Sequence, residues 1–176
     1  MSKTGTSFLE SAKRIFVQYQ KLGNDAMRQL EDAQFHWKPE PESNSVYLIV
    51  KHMHGNMRSR WTDFLTSDGE KSWRNRDQEF EDDTLTAKEI IELYDAGWDV
   101  LHQTLNELTD AQMGEIVTIR GEAHSVLEAI NRQIAHYSYH VGQIVFLAKA
   151  CKSQQWNSLS IPKDKSQEFN KSLRHL

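Results

Sequence analysis

The sequence predicts an all-α protein, an antiparallel four-helix bundle with a long loop at residues 66–84 and a short C-terminal helix. Four stretches of about 20 residues place apolar side chains at three- and four-residue steps, the periodicity of an amphipathic helix. Prolines, glycines and polar turn-forming residues separate these stretches. Helices that are each apolar along one side are most simply buried against one another.

The first predicted helix covers about Ser7 to Leu30, and the segment FHWKPEPESNS at residues 35–45 follows it with two prolines and several turn formers. Ser45 is the expected N-cap of the second helix, which covers about Val46 to Leu65. The apolar stripe of the first helix consists of Phe8, Ala12, Ile15, Phe16, Tyr19 and Leu22. That of the second consists of Ile49, Val50, Met53, Met57, Trp61 and Phe64.

Residues 66–84, TSDGEKSWRNRDQEFEDDT, form the predicted long loop because they are charged, aromatic and without a regular period. A loop of this length inside a compact domain is uncommon and is often functional. Simple helical hairpins do not need so long a connection, so it could carry a crossover between non-adjacent helices.

The third helix is expected from about Ala87 to Leu108, with Thr86 and Glu89 as a capping box. Its stripe consists of Ile90, Leu93, Tyr94, Trp98, Leu101 and Leu105. Residues 112–122, QMGEIVTIRGE, combine β-branched residues with an Arg-Gly pair and indicate either a loop or a short strand pair.

The fourth long helix is expected from about Ser125 to Lys149. The short C-terminal helix follows Pro162, from about Lys163 to Leu173. A chain of 176 residues is long enough to bury one core, so residues 1–176 are expected to form a single domain.

Composition argues against several classes of function. Charged residues make up 26% of the chain and no apolar run approaches the length of a membrane span, so no membrane partner is expected. The formal net charge is −4 with lysine and arginine dispersed, which argues against a nucleic-acid partner. The single Cys151 suits a reducing, cytoplasmic location. A small-molecule substrate is expected, and exposed helix faces are compatible with a homodimer.

Two stretches hold four of the eight histidines: VKHMHGNMRSRW at residues 50–61 and RQIAHYSYHVGQI at residues 132–144. His136 and His140 are four apart, so they share one face of a helix and could bind one metal ion. A third ligand from another helix would leave a coordination position open, as in catalytic zinc sites. The alternative is that these histidines are ordinary polar residues on helix flanks, since such spacing also arises by chance.

His52 and His54 are about 200° apart on a regular helix, so only one of them can join the same ion. His54 lies nearer the centre of the apolar arc formed by Val50, Met57 and Trp61. The helical wheel alone therefore slightly favours His54 as the inward-facing residue.

The contexts LIVKHMHGNM and AHYSYHVGQI together resemble the DinB superfamily, which consists of four-helix-bundle proteins, many of them metal-dependent. The stretch SRWTDFLTSDGEKSWRNRDQEF, residues 59–80, resembles an uncharacterised bacterial subfamily with a WRNRDxEF-type loop. The resemblance extends from Phe8 to about Ala150. It implies a bundle of DinB type.

The resemblance also implies that three histidines bind a divalent metal, zinc or nickel, with His136 and His140 as two of the ligands. The family register places the third at His52, four residues before Asn56, in disagreement with the helical wheel, and we follow the register. Relatives include thiol-dependent transferases. The resemblance thus implies a metal that activates a low-molecular-weight thiol, or water in a hydrolase.

Further candidates lie near these histidines. Arg74 and Arg76 could bind a carboxylate or phosphate of the substrate while Trp73 stacks on it, or the arginines could pair locally with Asp77, Glu79 or Glu81. Asn56 and Gln143 are candidates for orienting a metal-bound water or a histidine ring, or they only satisfy hydrogen bonds on helix flanks.

The sequence thus leaves three functions open. The first is a metal-dependent enzyme, a thiol transferase or a hydrolase. The second is a non-catalytic metal or small-ligand binding bundle in stress response. The third is a structural bundle without metal.

Overall fold

The computed structural model describes the backbone of residues 3–173 and the side chains of residues 8–172. Most of these residues are helical. The helices are α1 (Lys3–Met27), α2 (Asp32–Phe35), α3 (Val46–Trp61), α4 (Ala87–Glu107), α5 (Val126–Lys152) and α6 (Ser166–Leu173). Strands β1 (Ile116–Ile119) and β2 (Glu122–Ser125) form one antiparallel pair. No described helix combines the length and the apolar composition that a membrane span requires.

Four aromatic side chains, one from each long helix, meet at the centre of the molecule. They are Phe16 of α1, Trp61 of α3, Trp98 of α4 and Tyr137 of α5, and each is at most 1% exposed. Their ring centroids lie 5.6–6.4 Å apart in the contacting pairs. We call these four residues the aromatic core. Around it α3 packs on α4 and α1 on α5, with further contacts from α3 to α5 and from α1 to α4.

The predicted starts of the second, third and fourth long helices are confirmed by their caps, whereas α1 begins at Lys3 instead of Ser7 and α6 at Ser166 instead of Lys163. The Ser45 hydroxyl accepts a hydrogen bond from the Leu48 backbone N–H, and Thr86 forms a capping box with Glu89. Ser125 forms a second capping box with Glu128 at the start of α5. Each cap satisfies backbone donors that the first turn of a helix otherwise leaves free.

The second long helix ends earlier than its apolar pattern predicts, at Trp61 instead of Leu65. Thr62 is extended and Asp63 has a left-handed backbone, with φ of 48°, so the chain turns away from the helix axis. Phe64 is nevertheless buried, 8% exposed, because this turn folds it back onto Trp61. Other ends also shift: α1 ends at Met27, before Leu30, and α5 continues to Lys152.

The strand pair is the one departure from an all-helical fold among the described residues. It confirms the second of the two alternatives for residues 112–122, a short strand pair, and extends it to Ser125. Ile119 pairs with Glu122 across a two-residue turn. Arg120 and Gly121 have φ angles of 56° and 77°, the left-handed conformations that such a tight turn requires. The inward residues of β1, Val117 and Ile119, are buried in the core.

The loop at residues 66–84 is docked against this hairpin. The Asp68 carboxylate accepts hydrogen bonds from the backbone N–H groups of Arg120 and Gly121, and Gly69 donates to the Thr118 carbonyl. Burial raises the pKa of Asp68, but hydrogen bonds from the backbone outweigh it and lower the value to about 2. From this anchor the loop runs along α3 and ends in a 3-10 turn at Asp77–Phe80.

Candidate metal centre

Three imidazoles converge between α3 and α5. His52 comes from α3, and His136 and His140 come from successive turns of one face of α5. Each offers one nitrogen such that the three atoms lie within 4.8 Å of one another. The ring centroids are 4.8–5.5 Å apart. Three nitrogens at this spacing could share one ion after small side-chain adjustments.

Glu79 fixes the orientation of His52. The distance from His52 Nδ1 to Glu79 Oε2 is 2.9 Å, and both side chains are 8% exposed. An ionised carboxylate can only accept, so Nδ1 is the donor, and in the neutral imidazole Nε2 then keeps the lone pair that a metal needs. Phe80 stacks on the same ring, with centroids 5.2 Å apart. His52 is therefore held on two sides by the end of the loop.

Arg74 holds Glu79 in turn. Its Nε donates to Oε1 at 2.7 Å and its Nη2 donates to Oε2 at 2.9 Å, a bidentate pair buried beside α3. Burial raises the pKa of Glu79, but hydrogen bonds from His52 and Arg74 outweigh it and keep that pKa below its usual value. Glu79 is thus an anion at neutral pH. A second carboxylate, that of Glu70, lies 3.6 Å from the Arg74 guanidinium.

Gly55 makes room for this carboxylate. A Cβ added to Gly55, in the middle of α3, would collide with Oε1 of Glu79. Any larger side chain must therefore displace Glu79 or bend the helix. The glycine and the loop glutamate form one unit that sets the position of His52.

His140 is oriented by Gln143, one turn later on α5. Its Nδ1 lies 2.9 Å from the amide oxygen Oε1, which can only accept, so Nε2 of His140 keeps its lone pair. That Nε2 and the Nδ1 of His136 are buried and have no hydrogen-bond partner among the described residues. Unpartnered buried polar atoms are uncommon and call for a physical explanation.

Both α5 histidines are uncharged at neutral pH. Burial lowers the pKa of His136 to about 3, with His140, His52 and two arginines adding to the effect. Burial also lowers the pKa of His140 to about 4, and His52 adds to it. Neutral imidazole is the form that ligates metals.

His54 lies outside this cluster. Its Nδ1 bonds the Leu93 carbonyl of α4 at 2.9 Å, so its ring faces α4 while that of His52 faces α5. The helical wheel distinguishes buried from exposed sides but not which neighbour a side meets, which is why its preference for His54 differs from this placement. The pKa of His54 is lowered by burial.

The remaining described histidines lie outside the three-imidazole group, and Nε2 of His124 is also buried without a hydrogen-bond partner among the described residues. His36 bonds the Leu85 carbonyl, His102 bonds the Gln20 side chain and His124 lies 4.0 Å from Glu122. His175 lies outside the described residues.

A cleft of about 630 Å³ opens beside the three imidazoles, and we call it the histidine cleft. Its lining includes five arginines: Arg60, Arg74, Arg76, Arg120 and Arg132. Tyr139, 52% exposed, stands at its rim, and the ring centroid of Tyr139 is 4.3 Å from that of His140. Burial raises the pKa of Tyr139, and the charges of Arg132 and Arg76 oppose the rise.

The predicted substrate-binding residues fall in different places. Arg74 and Arg76 both line the histidine cleft, but Arg74 is engaged by Glu79, one of the local pairs that the sequence left open. Arg76 is exposed, with its guanidinium carbon 5.3 Å from the Phe80 ring centroid. Trp73 lies under the Arg58 guanidinium and outside the cleft lining.

Asn56 lines the histidine cleft and is tied to the aromatic core. Its Oδ1 accepts a hydrogen bond from the Tyr137 hydroxyl at 3.0 Å, and that hydroxyl accepts one from Trp61 Nε1 at 3.1 Å. The Asn56 amide nitrogen has no partner among the described side chains and is the group available to donate into the cleft.

Sequence reasoning named Glu79 only as a pairing alternative and did not single out Arg132 or Gly55. A signal was available for Arg132, because it precedes His136 by four residues and therefore shares its helix face. For Glu79 the sequence holds no such signal, since its contact with His52 bridges a loop and a helix.

Comparison with known proteins gives a family but no activity. The family model described as "Protein of unknown function (DUF1572)" matches residues 3–165. No curated protein matches the chain. Because the matched segment covers nearly the whole sequence, the chain belongs to the DUF1572 family of proteins of unknown function.

Proposed function

We propose that this protein is a metal-dependent enzyme in which His52, His136 and His140 hold one divalent ion, zinc or nickel. The observation that carries the proposal is the convergence of three imidazoles from two helices at an open cleft, where one nitrogen each of His136 and His140 is buried without a partner among the described residues. Neutral nitrogen donors suit both metals. An empty site would leave the desolvation of these nitrogens without compensation.

The scaffold we propose is an antiparallel four-helix bundle of DinB type. Its support is that α1, α3, α4 and α5 each contribute one ring to the aromatic core and pack in the pairs described above. In such bundles, metal sites are built from side chains on facing helices.

When bound, a divalent ion with an open position would supply a deprotonated thiol or water as nucleophile at neutral pH. The chain's own residues would prepare that site. Glu79 and Gln143 fix the rings of His52 and His140, and the Asn56 amide is placed to donate a hydrogen bond into the cleft. We assign no general base.

The reaction we favour is transfer of a low-molecular-weight thiol to an electrophilic carbon, with hydrolysis as the second choice. The cleft volume suits a small molecule together with a small thiol. Its wall is polar and positively charged, which favours a thiolate over a neutral thiol.

The test combines metal analysis with a reaction assay. Purified protein is dialysed against zinc or nickel, analysed for bound metal, and then incubated with cysteine and an aryl halide while loss of free thiol is followed. We expect about one ion per chain and thiol loss above the uncatalysed rate, both abolished in His136→Ala and both retained in the control His124→Ala.

Other results would change the assignment. Metal binding without reaction toward thiols or ester substrates would leave the non-catalytic metal-binding function. Absence of bound metal in the wild-type protein would leave a bundle without metal, either structural or binding a small ligand.

A further inference from the structure

The histidine cleft concentrates positive charge in a chain whose formal net charge is −4. Three of its five arginines form ion pairs with two carboxylates. Glu70 lies 3.4 Å from Arg60 and 3.0 Å from Arg120, and Glu79 is paired with Arg74. Arg76 and Arg132 have no carboxylate within 4.0 Å among the described residues. The cleft therefore carries two guanidinium groups that nothing in the described chain neutralises.

These two arginines reach the cleft from different elements. Arg132 precedes His136 by one helical turn on the same face of α5. Arg76 comes from the loop and lies over the Phe80 ring, which itself stacks on His52. Both arginines line the histidine cleft together with Tyr139.

We propose that Arg76 and Arg132 form an anion subsite that binds a carboxylate or phosphate group of the substrate beside the three histidines. The proposal rests on the proposed function, because it assigns a substrate class to the same cleft. Guanidinium groups bind such oxyanions in bidentate fashion, which fixes orientation as well as affinity.

The subsite differs in composition from the one that the sequence suggests. The Arg74 side chain is 2% exposed, and its Nε and Nη2 both donate to Glu79, so it positions the partner of His52. Trp73 lies outside the cleft lining. Arg132 takes the place of both.

The cleft is large enough for a small molecule, and its rim is only partly enclosed. An anion held at Arg76 and Arg132 would place the adjoining atoms of the substrate next to the imidazole nitrogens. The substrate class is therefore a small organic acid or phosphate ester whose reacting atom lies a few bonds from its anionic group.

The test measures binding of two probes, inorganic phosphate and acetate, by isothermal titration calorimetry to the protein with and without zinc. We expect Arg76→Gln and Arg132→Gln each to weaken binding of the better probe about tenfold, the loss of one charge-assisted hydrogen-bond set. Arg132→Lys, which keeps the charge, should recover part of the loss. The control Arg28→Gln removes an exposed arginine outside the cleft and should change nothing.

Two results would overturn the subsite: a double variant of Arg76 and Arg132 that binds both probes as wild type does, or binding that disappears only in His136→Ala. The second result would make the anion a metal ligand alone. Metal content, measured separately, distinguishes the two proposals. Arginine-dependent phosphate binding in a protein that takes up no zinc would refute the metal centre and retain the subsite. Melting curves of each variant exclude unfolding as the cause.

Discussion

The aromatic core and the histidine cleft share α3 and α5, but they differ in how the polar atoms of these two helices are paired. On α5, Tyr137 belongs to the core while its neighbour His136 belongs to the cleft. In the core, the Trp61 N–H of α3 donates to the Tyr137 hydroxyl of α5, which donates onward to Asn56, while the Trp98 N–H of α4 has no partner among the described residues. In the cleft, nitrogens of His136 and His140 are buried without a partner in the described chain.

The difference teaches what each region contributes. Buried polar atoms without partners reduce stability, so folding alone gives no reason to keep them. His136 and His140 line an open cleft, where a ligand can supply the missing partners, whereas Trp98 is fully buried away from it. We therefore expect substitutions in the aromatic core to act on stability, and substitutions in the histidine cleft to act on binding.

The largest expected effect lies in the core. Trp98→Ala should lower the free energy of unfolding by about 3–5 kcal/mol, because it removes a fully buried aromatic side chain and leaves a cavity. Urea denaturation followed by circular dichroism measures it. His136→Ala should cost much less in the metal-free protein, and an equal cost would mean that the cleft is ordinary core.

The next largest effect is expected on zinc affinity, when the carboxylate that orients His52 is altered. Glu79→Gln keeps the shape but removes the charge that holds His52 and Arg74, so zinc affinity should fall about 10- to 100-fold with the three imidazoles intact. Competition with a chelating dye measures the affinity. Glu81→Gln changes an exposed residue of the same loop and is the control. Equal zinc affinity in both variants would leave Glu79 without a role in the site.

Two glycine-to-alanine substitutions test whether Glu79 is held in place beside α3. Gly142→Ala in α5 meets open space and should stabilise the protein by up to about 1 kcal/mol through helix propensity. Gly55→Ala has the same propensity gain, but its Cβ collides with Glu79, so it should destabilise the protein and weaken zinc binding. Thermal unfolding of the two variants measures the sign of each stability change. A gain at Gly55 equal to that at Gly142 would show that Glu79 can move freely.

The smallest expected effect concerns how the free energy of unfolding depends on pH. The pKa values of His136 and His140 are lowered to about 3 and 4, so between pH 6.5 and 4.5 the unfolded chain takes up protons at these positions and the folded one does not. The free energy of unfolding of the metal-free protein should therefore fall as the pH drops through this window.

His136→Gln removes one of these groups and should make the fall shallower. Urea titrations at several pH values provide the measurement. Carboxylates with lowered pKa values also contribute toward the lower end of this window, but they do so equally in wild type and variant, so the difference between the two slopes reports on His136. Identical slopes for wild type and variant would contradict the burial of a neutral His136.

Local signals explain what the sequence predicts well. The four long helices follow from apolar periodicity, and the caps at Ser45 and Thr86 follow from side-chain chemistry within four residues. The end of α3 does not, because Phe64 keeps the apolar register although the chain turns at Asp63. Periodicity records which side chains are buried, not whether the backbone remains helical.

Spacing alone predicts only that His136 and His140 share one face of α5. The choice of His52 follows from the family resemblance. The choice of Glu79 over Asp77 or Glu81 as the partner of Arg74 follows from neither, because it depends on how the loop docks. That docking depends on the Asp68 carboxylate, which accepts hydrogen bonds from the turn of a hairpin more than 50 residues away. No local sequence pattern encodes such a contact.

In the proposed metal centre, His52 and not His54 is the ligand that joins the two histidines of α5. Zinc content after equilibrium dialysis, measured by mass spectrometry on wild type, His52→Ala and His54→Ala, tests it most directly. We predict about one zinc per chain in wild type and in His54→Ala, and little or none in His52→Ala. A wild-type protein free of zinc, or loss of zinc in His54→Ala with retention in His52→Ala, would contradict the account.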